Sequence, residues 1–424
     1  MMTSRERVKK AIRHEVTDRV PVDLGATAIS GIHVSELKRL REELGLETGA
    51  IKALDPMTLI AEVTDDVREA LEIDCVGLFT GADSLGLTSD TYKEWELSDG
   101  TTVLLRDDFS WTKDAETGTI YAYPQGDTSV PPSAFMSSAS LYFDNIPRQE
   151  DLDKKTEWDA RKDYAGMYSV LPDKDLRYLE SRAKELYETT DYAIIGSYGG
   201  GGLGDIFHVP GPWLKETKGI REVEDWYMAI YLHRDYLMDL FDMQTDITLE
   251  NMQRYFDAVG NRIEVMVHSG TDFAFQGGSM IAPELYREVY TPFYKKVNDW
   301  IHKNTDWKSF MHSCGSVVTL IPEFIDAGFD ILNPVQVSAK DMDAVSLKEK
   351  FGDSIVFWGG GCDPQFVLPS GTPEEVYAET RRNAQAFSQG GGFVGGNVHN
   401  VQYEVPIPNL LAEFRALHDT VPQK

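Results

Sequence analysis

Lys308-Ser309-Phe310-Met311-His312-Ser313-Cys314-Gly315 is an apolar run of strand length that stops abruptly at polar residues and a glycine. Similar short, β-rich runs bounded by Gly, Pro or Asp occupy residues 19–25, 74–79, 192–196, 263–267, 330–335, 354–358 and 392–396. With the first they make eight. Helical patterns lie between most of them. Pro283 to Ile301 opens with Pro at a first-turn position and carries apolar residues at helical spacing, and 372–387 does the same. Thr3 and Glu6 are spaced as a capping box for a helix at the start of the chain. Strands alternating with helices give an α/β protein, either a doubly wound sheet or a (β/α)8 TIM barrel. A count of eight favours the barrel, with 1–424 as one unit.

Residues 84–163 break this rhythm, being polar, aromatic and turn-rich. Trp95 to Leu105 reads as strand, Asp-Gly turn, strand, and Thr112 to Tyr121 as another hairpin. An inserted β-rich segment is therefore expected between barrel strands 2 and 3. A barrel connection of this kind emerges on the catalytic face. It could roof a substrate site, or ornament the fold for stability or dimerisation.

The chain has 424 residues, 42% hydrophobic and 26% charged, as a soluble enzyme would. Its 41 basic and 69 acidic residues give a formal charge of −28, which argues against nucleic acid or an anionic membrane as partner. Cys75, Cys314 and Cys362 are too few and too scattered for a disulfide framework. The polar start, Met1 to Arg7, lacks an apolar signal core. These features lead us to expect a cytoplasmic monomer or homodimer.

Chemistry-bearing residues fall where strands end. His312 closes the fifth predicted strand and Cys314 lies just beyond it, while Cys362 follows the seventh in Trp358-Gly359-Gly360-Gly361-Cys362. Strand ends converge on a barrel mouth. One imidazole and two thiolates suit zinc and leave a position open for catalysis. The bland reading is two structural cysteines and a hydrogen-bonded histidine. His399 ends the eighth strand, as a general acid or base or as a packing residue. Asp272 follows the fourth strand and could bind a ligand or orient a metal-bound histidine. Asn333, Gln336 and Gln276 are candidates for contact with substrate. Gly199 to Gly204 formally matches G-x-G-x-x-G, but the sequence after it does not open a helix as a dinucleotide fingerprint must.

At these residues the chain resembles the uroporphyrinogen decarboxylase superfamily. The resemblance is carried by Arg19-Val20-Pro21-Val22-Asp23, by Gln276 to Glu284, by Met311-His312-Ser313-Cys314-Gly315-Ser316 and by Val398-His399-Asn400-Val401-Gln402. It implies a (β/α)8 barrel. One branch of that superfamily decarboxylates porphyrinogens without a metal, using an arginine-rich motif after the first strand. This chain has Asp23-Leu24-Gly25-Ala26-Thr27 there instead. The other branch, cobalamin-dependent methyltransferases, carries an H-x-C…C zinc motif that His312, Cys314 and Cys362 reproduce. Gln336 departs from the acidic fourth-ligand pattern of the branch that uses thiols. The resemblance thus implies a zinc-dependent, O-demethylase-like methyltransferase passing a methyl group from a small donor, a methoxylated aromatic by preference, to the corrinoid of a partner protein. Its rivals are a coenzyme M-type thiol methyltransferase, a metal-independent decarboxylase and a non-catalytic tetrapyrrole-binding protein.

Overall fold

The computed structural model describes residues 2–79 and 81–424. Seven parallel strands form one curled sheet: β1 (Cys75–Leu78), β2 (Ala193–Ser197), β3 (Val265–Ser269), β4 (Lys308–His312), β5 (Ile331–Asn333), β6 (Val356–Trp358) and β7 (Phe393–Val394). They pair in sequence order from β1 to β7. The eighth stave is residues 20–24, reduced to a parallel bridge between Val22 and Gly395. Its backbone accepts from Asp74 N–H on one side and donates from Asp23 to Gly395 on the other, so the sheet closes into a barrel. The predicted eight-stave α/β architecture is therefore the one observed.

The barrel interior is packed. Cys75, Ile195, Val265, Phe310, Ile331, Val356, Trp358 and Val394 interdigitate within it. Trp358 donates its indole N–H to the buried Asp23 carboxylate at 2.9 Å, tying the first stave to β6. No helix among the described residues is long and apolar enough to cross a membrane.

The surrounding helices follow their local signals. α1 (Ser4–Ala11) has the full Thr3–Glu6 capping box. The helix expected over 283–301 is two, α2 (Pro283–Val289) and α3 (Thr291–Asn304). Pro292 has no N–H to bond back to Glu288 O and sits in the first turn of α3, where that donor is not needed, so the break falls at Tyr290. α4 (Pro373–Phe387) is capped by Thr372 and Glu375, and α5 (Ile407–His418) packs beside it.

The inserted β-rich segment forms two sheets. Tyr92–Glu96 pairs antiparallel with Thr102–Arg106, and Ile51–Asp55 from upstream joins the latter in parallel. Residues 51–61 thus belong with the insertion, which their sequence did not announce. The second sheet is the meander Trp111–Lys113, Ile120–Ala122, Ala134–Met136 and Asp144–Asn145. Trp95 packs against Phe109 and Phe143 in the insertion's own core, with Trp111 exposed beside it.

Candidate metal centre at the barrel mouth

The register of β4 and β5 sets His312 opposite Asn333. His312 Nδ1 lies 2.7 Å from Asn333 Oδ1. The Asn333 amide NH2 donates to Trp358 O at 3.0 Å, which fixes which end of the amide faces the histidine. An acceptor at Nδ1 puts the imidazole proton there and leaves a lone pair on Nε2, the arrangement of a metal-ligating histidine with an oriented outer partner. Asn333, predicted as a substrate contact, is placed as that partner.

Cys314 Sγ stands 3.5 Å from His312 Nε2. Its backbone N–H donates to Asp272 Oδ1 at 2.6 Å, and the same oxygen is 3.9 Å from His312 Nε2. Gln336 Oε1 accepts from Gly315 N–H at 2.7 Å, so Gln336 braces the loop that carries Cys314. Gly315 has φ +86°, and a Cβ there would meet the Ala274 carbonyl carbon at 2.7 Å. Glycine is required for this close approach. Gln276 is exposed in the turn of the hairpin Ala274–Phe275/Gly278–Ser279.

His399 completes the assembly. Its ring centroid is 5.2 Å from that of His312, and ligand atoms of His312, Cys314 and His399 all lie within 4.8 Å of one another. Asn400 N–H donates to His399 Nδ1 at 2.7 Å, so the neutral ring carries its proton on Nε2. Burial, then the neighbouring His312, pushes the His399 pKa down to about 4. His399 is therefore a neutral N–H donor. Burial likewise raises the Asp272 carboxyl and lifts the Cys314 thiol well above its ordinary range.

Cys362 does not join this group. Gly359 and Gly360 adopt φ +93° and +81° and turn the chain after β6. Gly361 is then pinned by Gly396 O and the Asn383 side chain. The Cys362 thiol is left buried among Thr380, Glu379 and Glu413, in the helix layer. The sequence pattern of strand ends gave no sign of that turn.

Two groups escaped the sequence reading. Tyr227 donates its hydroxyl to Asp272 O at 2.6 Å. Asp205, just past the glycine-rich loop, is buried, and its charge reaches His312. An acid directly after a run of glycines was the available signal. As expected, that loop opens no helix: Gly199–Gly201 is a single 3-10 turn.

An imidazole, a thiol and a carboxyl group thus gather at the C-terminal ends of parallel strands, a set of side chains that could hold a metal ion. Residues 210–420 match the family model described as Uroporphyrinogen decarboxylase (URO-D), and the chain belongs to that superfamily. A curated relative, methylated-thiol–coenzyme M methyltransferase of Methanosarcina mazei, is 26% identical over 200 residues, 41% of this chain and 48% of the relative. The chain thus spans about half the length of the curated relative it matches. A solved structure of a methyltransferase from Methanosarcina mazei shares 15% identity and a TM-score of 0.54, covering 98% of both chains, a likeness of fold.

Proposed function

We propose that this protein is a zinc-dependent methyltransferase that moves a methyl group from a small methylated donor to the Co(I) corrinoid of a partner protein. The observation that carries the reading is the His312–Cys314 pair, with His312 buried and its Nε2 lone pair fixed by Asn333. His312 Nε2, Cys314 Sγ and a carboxylate oxygen of Asp272 would hold the ion, a donor set suited to a catalytic zinc site. Zinc there would supply a Lewis acid for the heteroatom that bears the methyl group. His399 Nε2–H donates a hydrogen bond to that heteroatom as negative charge develops on it.

The heteroatom is sulfur or an aromatic oxygen. The name of the curated relative specifies a methylated thiol, which supports sulfur over the methoxylated aromatic preferred from sequence. A thiol-methylating enzyme of the coenzyme M type is the second reading on the same ground. The test is methyl transfer to cob(I)alamin, followed by its spectral conversion to methylcobalamin, with methylated thiols and methoxylated phenols offered in parallel. Conversion that needs the enzyme and is lost in Cys314→Ser supports the proposal. Zinc-loaded protein inert toward both donor classes counts against it.

A further inference from the structure

The loop after β2 carries a deep carboxylate that the chain leaves without a cation of its own. A Cβ on Gly204, at φ +68°, would collide with Trp226, so the chain turns sharply there and delivers Asp205 to the loop that leads from β3 to Asp272. Asp205 Oδ1 accepts from Phe207 N–H at 2.9 Å. Oδ2 lies 3.0 Å from the position a Cβ would take on Gly270, and glycine leaves it uncovered on that side. His208 Nδ1, at 3.4 Å, makes no hydrogen bond to it. The Asp205 side chain keeps 10% exposure. Asp74 and Asp163 are buried as deeply, and the chain's own cations neutralise both. Arg7 and Arg19 stand 2.6 Å from Asp74, and Lys155 stands 3.0 Å from Asp163. Among the described residues no lysine or arginine makes such a pair with Asp205. A buried carboxylate without a counter-charge is costly, and a ligand that brings the cation offsets that cost.

The mouth beside Asp205 also lacks basic groups. Among the described residues, no lysine or arginine charge reaches His312, Asp272, Cys314, His399 or Tyr227. The Asp205 charge does reach His312 and Tyr227. Arg221 reaches Tyr168, but it is fully buried and donates to Lys218 O at 2.8 Å and Val209 O at 3.2 Å. Zinc would not reverse this balance, because the Cys314 thiolate and the Asp272 carboxylate cancel its charge. The half-buried rings of Tyr168 and Tyr227 lie within reach of the Asp205 carboxylate, and ring faces favour cations.

We propose that Asp205 is a specificity-determining residue that takes an ammonium group of the methyl donor, so that this mouth accepts cationic donors and rejects sulfonates and carboxylates. The assignment rests on the methyl-transfer reading. An ammonium N–H supplies the donor that Oδ2 lacks. An anionic headgroup would be stripped of water beside a like charge with no basic side chain to receive it, and an interface built in this way discriminates by repulsion as much as by attraction.

The test offers zinc-loaded wild type and Asp205→Asn two matched donor sets: methylthioethylamine, methylthioethanol and methylthioethanesulfonate, and methoxybenzylamine, methoxybenzyl alcohol and methoxybenzoate. kcat/KM for methylation of cob(I)alamin is read beside dissociation constants from calorimetry. In whichever set is turned over, the wild type is expected to prefer the amine to the alcohol by about tenfold or more, and the alcohol to the anion. Asp205→Asn keeps an oxygen for Phe207 N–H. It is expected to bring the amine-to-alcohol ratio to within about threefold of unity, in calorimetry as in turnover. Equal use of the three headgroups, or preference for the anion, overturns the assignment and leaves the methyl-transfer reading standing. An amine preference that Asp205→Asn leaves intact does the same. Wild type inert toward all of these donors overturns the reading and the assignment together. Where Asp205→Asn does not fold, the wild-type order of headgroups decides.

Discussion

At the level of single residues, the two histidines of the mouth differ in what each offers. His312 presents a lone pair because Asn333 accepts at its other nitrogen, while His399 presents a proton because Asn400 donates at its own. The two should therefore separate by substitution. His399→Asn is expected to keep its metal and lose methyl transfer by about 10²-fold or more, measured as zinc per chain beside turnover. Metal lost with the activity would make His399 a ligand. Burial lifts the Cys314 thiol, so the metal-free protein holds it protonated. Zinc uptake should release protons and weaken as pH falls. Titration in buffers of different ionisation enthalpy counts those protons, and uptake without proton release contradicts the assigned thiolate.

Elements set what can reach the mouth. β4 and β5 deliver His312 and Asn333 by register alone, and that much was legible, because a strand-length run ending in His-Ser-Cys-Gly fixes where the side chains emerge. The path of the chain after β6 was not legible. Three consecutive glycines accept many conformations, and sequence spacing carries no information on which is taken. Cys362 accordingly points into the helix layer although its strand end faces the mouth. Cys362→Ser should then retain zinc where Cys314→Ser loses it. Equal loss in both would mean that the glycine turn refolds around the metal. The first stave and the insertion teach the same lesson. Arg19 to Gly25 was readable as a strand, but barrel closure leaves it one bridge. Residues 51–61 carry no strong alternation, and only their pairing with 102–106 makes them strand. Gly315 marks an element-level constraint that can be measured. Gly315→Ala places a Cβ against the Ala274 backbone at positive φ, and should cost about 1–3 kcal/mol in chemical unfolding while loosening Cys314.

Across the entire protein, the far end of the barrel from the metal cluster carries its own pH response. Glu264, just before β3, is buried, and burial raises its carboxyl to about 7 against Ile194 N–H and the Lys9 and Arg5 cations of α1. Above the ordinary carboxyl range near 4.5 the unfolded chain has released this proton while the folded protein retains it. Stability from neutral Glu264 is complete at low pH and is lost as pH rises through 7. Glu264→Gln should match the wild type near pH 5 and exceed it at pH 8 by on the order of 1–3 kcal/mol in urea unfolding. An equal difference at both pH values contradicts this origin. Net charge belongs to the same scale. At −28 the surface favours a basic partner face, and methyl transfer to a corrinoid protein should slow with added salt if charge steers the encounter.

Elemental analysis of anaerobically purified protein, beside the His312→Ala, Cys314→Ser and Cys362→Ser variants, reaches furthest. The arrangement at the barrel mouth predicts about one zinc per chain in the wild type and in Cys362→Ser, and none in His312→Ala or Cys314→Ser. Folded wild-type protein that contains no zinc and takes none up would contradict the metal centre and the methyl-transfer chemistry built on it.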